Sequence, residues 1–434
     1  MSDDEGVVVE VDPALPRGAN RGWEERPPSR AVQCAPERPI CVHAAAPEVP
    51  TSALAKFSES LQRAYDDLFL VRGLPAPLAD GVLGGGSELD VYLVGGEQSG
   101  GKTGALGEPA LRVLKDPPRL STDQTSGACV VASAFASDST AVRCLGNLLA
   151  LRLDAAETPA LRDGYAEYLS WLTVGTDAQG LATIDDAQAN PQLNVTARER
   201  DTLTRASALW WSYLDSSLAA GTAGVLPTAV LSLSRTTTRD AHPQWHNDPD
   251  AFDVLRGAFS NDMQRVADYL AGYAAGRLFL GDRNDGVHLP GLDWLGPLGR
   301  VRFDWVIDYS SLPRHLASVR ALEPMGMSYT WLNLDSVPLG ARLAFRIEWE
   351  EPVRFKWLVV SVDKEGREMN RWDLPYLEKG QTLEKVLVNF ESAAALVFVG
   401  INLGGVSPLH PFDPDYEPWE PHAYTLYVTE LPTQ

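Results

Sequence analysis

Eight residues, Gly96-Glu97-Gln98-Ser99-Gly100-Gly101-Lys102-Thr103, spell the phosphate-cradling pattern G-x-x-x-x-G-K-[ST], and they come after a strand-like run, Leu89-Asp90-Val91-Tyr92-Leu93-Val94. A working site needs a helix to start at the lysine, so that backbone N–H groups and the helix dipole converge on the phosphates. The next residues, Gly104-Ala105-Leu106-Gly107-Glu108-Pro109, make a poor first helical turn, and no later apolar run ends in an Asp suited to hold magnesium. In a chain with 36 glycines the stretch reads as a surface loop, with nucleotide binding through Gly96, Gly101, Lys102 and Thr103 as an alternative. His242 and His246 have H-x-x-x-H spacing, with Asp248 and Asp250 nearby, a permissible set of metal ligands. Pro243, Asn247 and Pro249 make that stretch turn-rich, so solvated loop histidines are the default and a metal-dependent hydrolase the alternative. His43, His288, His315, His410 and His422 are isolated and read as structural, hydrogen-bonded residues. No serine sits in G-x-S-x-G, so the sequence spells no nucleophilic triad. Asp282-Arg283-Asn284-Asp285-Gly286 and Asp413-Pro414-Asp415-Tyr416-Glu417 lack calcium-loop spacing and read as acidic turns.

The more informative stretch is residues 139–175, which reads as two consecutive helices. In the second, Asp163-Gly164-Tyr165-Ala166-Glu167-Tyr168 resembles the E-G-x-A-x-aromatic signature of gluzincin-type metallopeptidases, whose glutamate is the third zinc ligand. In that class the preceding helix carries H-E-x-x-H. Imidazoles four residues apart share a helix face and bind zinc, and the intervening glutamate is the general base for the attacking water. The register places the motif on Arg143-Cys144-Leu145-Gly146-Asn147. Arg143 and Asn147 then stand in for the histidines, Cys144 for the base, and only Asp163 keeps a carboxylate, with Glu167 one turn further on. A guanidinium repels a divalent cation. The resemblance therefore implies a degenerate site at Arg143, Cys144, Asn147, Asp163 and Glu167, with no catalytic residue, metal or cofactor expected.

The wider layout is an early Cys-Val-His segment, a long helix, Leu-Asp-Val-Tyr-Leu-Val, a Gly-rich loop, the two helices, Ala208-Leu209-Trp210-Trp211-Ser212-Tyr213-Leu214 and a closing run of strands. It is similar, over residues 35–432, to a gluzincin-like family of secreted bacterial metalloprotease-type proteins. The resemblance implies a cleft with residues 128–135 as one wall and Arg143, Asn147, Asp163 and Glu167 as its floor. An Arg143–Asp163 ion pair would stand where the metal once sat.

The elements that must hold these residues are set by periodicity. Residues 1–50 read as an acidic, Pro-rich leader with a short strand at 39–43. Thr51-Ser52 opens a helix with Leu54, Phe57, Leu61, Tyr65 and Leu68 on one face, and Thr158-Pro159 opens another with Pro at its first position. Thr196 to Glu199 is a capping box for a long helix, and further helices fit 249–257 and 260–279. From residue 301 the texture becomes short β-branched and aromatic runs, at 301–307, 328–334, 342–349, 356–362, 382–389, 395–402 and 424–429, with Asp363-Lys364-Glu365-Gly366 as a hairpin turn. Trp331, Trp349, Trp357 and Trp372 fall on or beside these strands and read mostly as core. The fold class is α+β multidomain. A leader (1–50), a zincin-like α/β peptidase-type domain with a helical subdomain (51–298) and a C-terminal all-β sandwich (299–434) are expected.

Composition sets the outer limits. The 434 residues are 44% hydrophobic and 22% charged, enough for more than one core. A net charge of -21, with 37 scattered Lys and Arg, argues against nucleic-acid binding. No apolar run is long enough to span a bilayer. Cys34 and Cys41, and Cys129 and Cys144, pair naturally as disulfides of an oxidising compartment, with four buried thiols as the alternative. The N-terminus carries no signal peptide; removal of an export signal, or of a lipid-anchored cysteine, would also leave an acidic start of this kind. The expected function is a secreted or cell-surface metallopeptidase-like pseudoenzyme that binds a protein, peptide or glycan. A carbohydrate-binding or adhesin-type sandwich protein is a further alternative.

Overall fold

A computed structural model describes residues 27, 29–45, 47, 49–79, 87–95, 122–196, 202–219, 221–237, 247–335, 337–351, 353–377, 381–405 and 420–432, and 110–113 as backbone. The chain is mixed α and β and divides into two compact units, Met1–Gly180 with Thr196–Val254, and Leu181–Val195 with Leu255–Gln434.

The first unit holds a five-stranded sheet of β1 (Ala31–Cys34), β2 (Ile40–Ala44), β3 (Leu89–Val94), β4 (Ala110–Val113) and β5 (Gly127–Ala132), in the order β1-β2-β3-β5-β4. β2, β3 and β5 run parallel, and β1 and β4 flank them antiparallel. The three central strands are buried along their whole length, which is why ICVHA, LDVYLV and GACVVA read as continuous rather than alternating apolar runs. Part of the expected leader is thus a structural strand pair. Ile40, Val42 and Ala44 are buried, and a disulfide joins the cross-strand partners Cys34 and Cys41.

The helices are α1 (Thr51–Tyr65), which runs on into a π-helical turn at Asp66–Val71, α2 (Asp138–Leu153), α3 (Pro159–Thr173), α4 (Ala178–Ala189), α5 (Ala208–Leu218), α6 (Val225–Leu233) and α7 (Ala251–Ala258). The division between units runs through α4 and α7. Ser137 caps α2 by accepting from the Thr140 N–H at 3.2 Å, and Thr158 caps α3 by accepting from Leu161 at 3.3 Å. The long helix expected from Thr196 is, among the described residues, a 3-10 segment at Thr202–Ser207 followed by α5.

The second unit comprises α8 (Met263–Leu278) and two sheets built from β6 (Trp305–Asp308), β7 (Arg314–Ala317), β8 (Met327–Asn333), β9 (Arg342–Trp349), β10 (Phe355–Val362), β11 (Glu368–Asp373), β12 (Thr382–Leu387), β13 (Ala395–Asn402) and β14 (Tyr424–Leu431). One sheet has the order β11-β10-β13-β8-β6 and the other β12-β9-β14-β7. Between them lies a core in which Phe345 meets Phe398 edge-on at 5.2 Å and Trp357 meets Tyr424 at 4.8 Å. β9 alternates buried and more exposed residues, so its sheet keeps a solvent face. β10 and β13 are buried throughout. Their second face carries Lys356, whose ammonium bonds the Asp268 carboxylate of α8, and Tyr329 on neighbouring β8 donates to the Ala274 carbonyl at 2.7 Å. The second compact unit takes in Leu181–Val195, α8 and the rest of the segment from Leu255.

Candidate functional site

α2 and α3 pack side by side, and Gly164 lets α3 approach the next segment closely. A Cβ there would lie 2.7 Å from the Ala208 nitrogen and 2.8 Å from the Ser207 carbonyl carbon. Between these helices and the segments that follow lies a largely buried charged cluster, with Asp177 partly exposed at its edge. Glu167 is 0% exposed, Arg205 2% and Arg143 3%. Arg205 donates from Nε and Nη2 to Glu167 Oε2 at 2.9 and 2.7 Å, and Arg143 Nε stands 3.6 Å from the same oxygen. Glu167 Oε1 accepts from Trp171 Nε1 at 2.7 Å and from the Thr176 hydroxyl. Asp177 closes the group, accepting from Arg205 Nη2 and the Gly180 N–H, both at 2.8 Å, and from Arg143 Nη2 at 3.1 Å. Burial raises the Asp177 pKa, but the Arg205 and Arg143 charges and the Gly180 N–H outweigh it and leave it below the usual range. Two guanidinium groups thus face two carboxylates, and the cluster is formally neutral.

Of the expected floor residues, Arg143 and Glu167 meet directly. Asn147 is 4% exposed, and Cys144 is bonded to Cys129, tying α2 to β5. Asp163 is half-buried and supports the charge of Arg162. The ion pair expected of Arg143 is made one turn beyond Asp163, with Glu167, and with Asp177. Arg143, Asn147 and Glu167 are interior residues, each no more than 4% exposed; Arg205 bonds Glu167 and Asp177 bonds Arg143. Neither Arg205 nor Asp177 carried a sequence signal. Arg205 lies 38 residues from Glu167, and only the fold joins them.

The Gly96–Thr103 pattern, His242 and His246 lie outside the described residues, as do His410 and the 413–417 turn. Asp248 precedes a cis proline, and Asp250 accepts from the Asp253 N–H at 2.8 Å, capping α7. Among the described residues no three His, Cys, Asp or Glu side chains gather as a metal site, and no helix is long and apolar enough to cross a membrane. His288 is not isolated. It stacks on Phe279 at 4.1 Å and bridges Asp285 Oδ2 at 2.7 Å and Glu368 Oε2 at 2.5 Å. Burial raises the Glu368 pKa, but hydrogen bonds from His288 and Arg371 win and hold it at about 2. His43 is likewise engaged, 2.9 Å from both Ser29 Oγ and Asp90 Oδ1.

A second buried group has a different character. Asp123, Asp154 and Glu157 are each 0% exposed. Asp154 accepts from the Ala156 and Glu157 N–H groups at 3.0 Å and from Ser234 at 2.6 Å. Burial, and then the Asp154 charge, push Asp123 up to about 10 and Glu157 up to about 8, which favours their protonated forms.

On the solvent face of the second sheet, a shallow depression of ≈ 520 Å³ lies over Ala344, between Arg346, Glu384, Val386, Tyr427 and Thr429. The Tyr427 ring is 40% exposed.

No family model matches the chain, and no curated protein matches it. Among solved structures, 30% of the chain is similar to the pre-peptidase C-terminal domain of a collagenase from Bacillus anthracis, at 9% identity over 97% of that domain, with a TM-score of 0.19. A secreted protein from Parabacteroides distasonis is similar over 25% of this chain and 38% of its own, at 14% identity and a TM-score of 0.18. Likenesses this slight assign neither fold nor function.

Proposed function

We propose that the chain is a secreted, metallopeptidase-like pseudoenzyme: a zincin-like α/β scaffold without its catalytic zinc site, followed by a sandwich through which it binds a protein, peptide or glycan. The observation that carries this reading is the Arg143–Glu167–Arg205–Asp177 cluster. Where the resemblance puts a dication and an activated water, two guanidinium groups neutralise two carboxylates and leave no vacant ligand oxygen at Glu167. Secretion is supported by the Cys34–Cys41 and Cys129–Cys144 disulfides, which persist in oxidising compartments. The depression beside Tyr427 is the binding surface this reading favours.

The test is elemental mass spectrometry on chain purified without chelators or a metal-binding tag, paired with hydrolysis of a casein-derived peptide mixture. The expected result is sub-stoichiometric zinc, no gain in melting temperature on adding zinc, and no cleavage. Near-stoichiometric zinc with chelator-sensitive cleavage overturns the reading.

A further inference from the structure

Ser29, His43 and Asp90 form a nucleophile–base–carboxylate line that no spacing pattern in the sequence announces. His43 on β2 and Asp90 on β3 project to one face of the sheet, since Cys41 pairs with Asp90 and His43 with Tyr92 in the parallel register. His43 Nε2 lies 2.9 Å from Asp90 Oδ1, and Nδ1 lies 2.9 Å from Ser29 Oγ. A neutral imidazole has one donor and one acceptor nitrogen. Asp90 takes the Nε2–H, so Nδ1 is left to accept the Ser29 proton, which is the tautomer a general base requires. The Ala31 carbonyl, at 3.3 Å, competes more weakly for the same hydroxyl hydrogen.

The surroundings leave the hydroxyl accessible and bury the other two groups. Ser29 is exposed, whereas His43 is 4% and Asp90 3% exposed. The imidazole is fixed in plane by Tyr92, stacked at 4.5 Å and 18°. Ser29 is fixed relative to β2 because the Arg30 N–H donates to the Ala44 carbonyl at 2.8 Å, one step beyond the β1 ladder, and because the Cys34–Cys41 disulfide locks that ladder's register. An accessible hydroxyl, a buried base and a buried carboxylate are the roles of a serine-hydrolase triad, which is recognised by geometry rather than by position in the chain.

We propose that Ser29 is the nucleophile of a serine-based hydrolytic site, with His43 as general base and acid and Asp90 as the positioning residue, acting on small carboxylic esters. Ser29 Oγ bonds to the acyl carbon while its proton passes to His43 Nδ1. The bond from acyl carbon to leaving oxygen then breaks, and that oxygen takes the proton from His43 to depart as the alcohol. Water repeats the sequence on the Ser29 ester, releasing the carboxylic acid and restoring the hydroxyl. Esters are favoured over peptides because an alkoxide leaves more readily than an amide nitrogen. This goes beyond the pseudoenzyme reading and is independent of it, since no metal takes part.

The experiment treats the full chain with a biotinylated fluorophosphonate, maps the adduct by peptide mass spectrometry, and measures hydrolysis of p-nitrophenyl butyrate. A single adduct on Ser29 is expected, absent in Ser29→Ala and His43→Gln. Ester turnover should fall at least 100-fold in Ser29→Ala and by roughly 10²–10⁴ in Asp90→Asn. Because Ser29 is exposed, Ser29→Ala should melt with the wild type, which separates lost chemistry from lost fold. No adduct in the wild type, or labelling and turnover that persist in Ser29→Ala, overturns the assignment. Either result leaves the zinc measurement untouched.

Discussion

Arg205 directs two N–H groups, from Nε at 2.9 Å and Nη2 at 2.7 Å, onto a single oxygen of Glu167. The second oxygen is taken by Trp171 and Thr176. A carboxylate this fully engaged is a structural centre rather than an open ligand, and its removal leaves two buried guanidinium groups facing the single carboxylate of Asp177. Glu167→Ala is therefore expected to lower unfolding free energy by about 3–5 kcal/mol, the usual penalty for breaking a buried ion pair from one side. Urea denaturation monitored by far-UV circular dichroism measures it. A loss below about 1 kcal/mol, the range of a surface pair, would show that Arg143 and Arg205 find water instead.

Gly180 is the tightest steric constraint on that cluster. A Cβ there would lie 2.6 Å from Arg205 Nη2 and 2.8 Å from Glu167 Oε1. Gly180→Ala should cost ~1–3 kcal/mol through forced displacement of the guanidinium. Gly257, exposed on α7 with nothing within 4 Å of its added Cβ, is the control. Gly257→Ala should stabilise by about 0.5–1 kcal/mol. Thermal melts of the two variants should therefore move in opposite directions.

Asp123 and Glu157 make the first unit sensitive to alkali. Their folded pKa values, pushed up to about 10 and about 8, exceed the ordinary carboxylate range, so the folded state binds more protons than the unfolded state between those limits. The stability they contribute is complete below about pH 4 and is lost as pH rises toward 8 and then 10. Melting temperature should fall between roughly pH 6 and pH 9.5, and Asp123→Asn should flatten that slope. An unchanged slope in Asp123→Asn would rule out this carboxyl as its source.

The apolar second face of β10 and β13 predicts how fragments behave. Leu358, Val360, Val397, Val399 and Ile401 are each no more than 1% exposed. A fragment beginning at residue 299 lacks α8, which packs against this sheet, and uncovers that face. It should bind a hydrophobic dye and aggregate in size-exclusion chromatography. A monomeric, dye-negative fragment would show that α8 is dispensable.

The Cys129–Cys144 bridge closes a 15-residue separation between β5 and α2, and both sulfur-bearing residues are 0% exposed. Replacing both by Ala should lose about 3 kcal/mol, by the chain-entropy estimate for a loop of that size. Comparing denaturant midpoints of the variant and the oxidised wild type checks the value.

Much of the fold was legible because it rests on local chemistry. α3 declares itself through Thr158 and Pro159, and β9 through its β-branched and aromatic run, since a cap and a strand-forming composition leave marks within a few residues. The pairing of Cys34 with Cys41 and of Cys129 with Cys144 was readable from proximity along the chain. That no His or Glu lies between residues 139 and 154 is likewise a property of residue types alone. Tertiary structure alone decided which charges meet. Arg205 reaches Glu167, Asp177 joins Arg143, Ser29 reaches His43 and Asp90 backs it from the next strand, across separations that no periodicity encodes. It also decided that residues 31–34 pair with the strand at 40–44 and that α8 belongs with the strands. The reason is physical: backbone preference acts over a few residues, whereas the burial of a charge or of a second sheet face is settled only when distant segments compete to cover it.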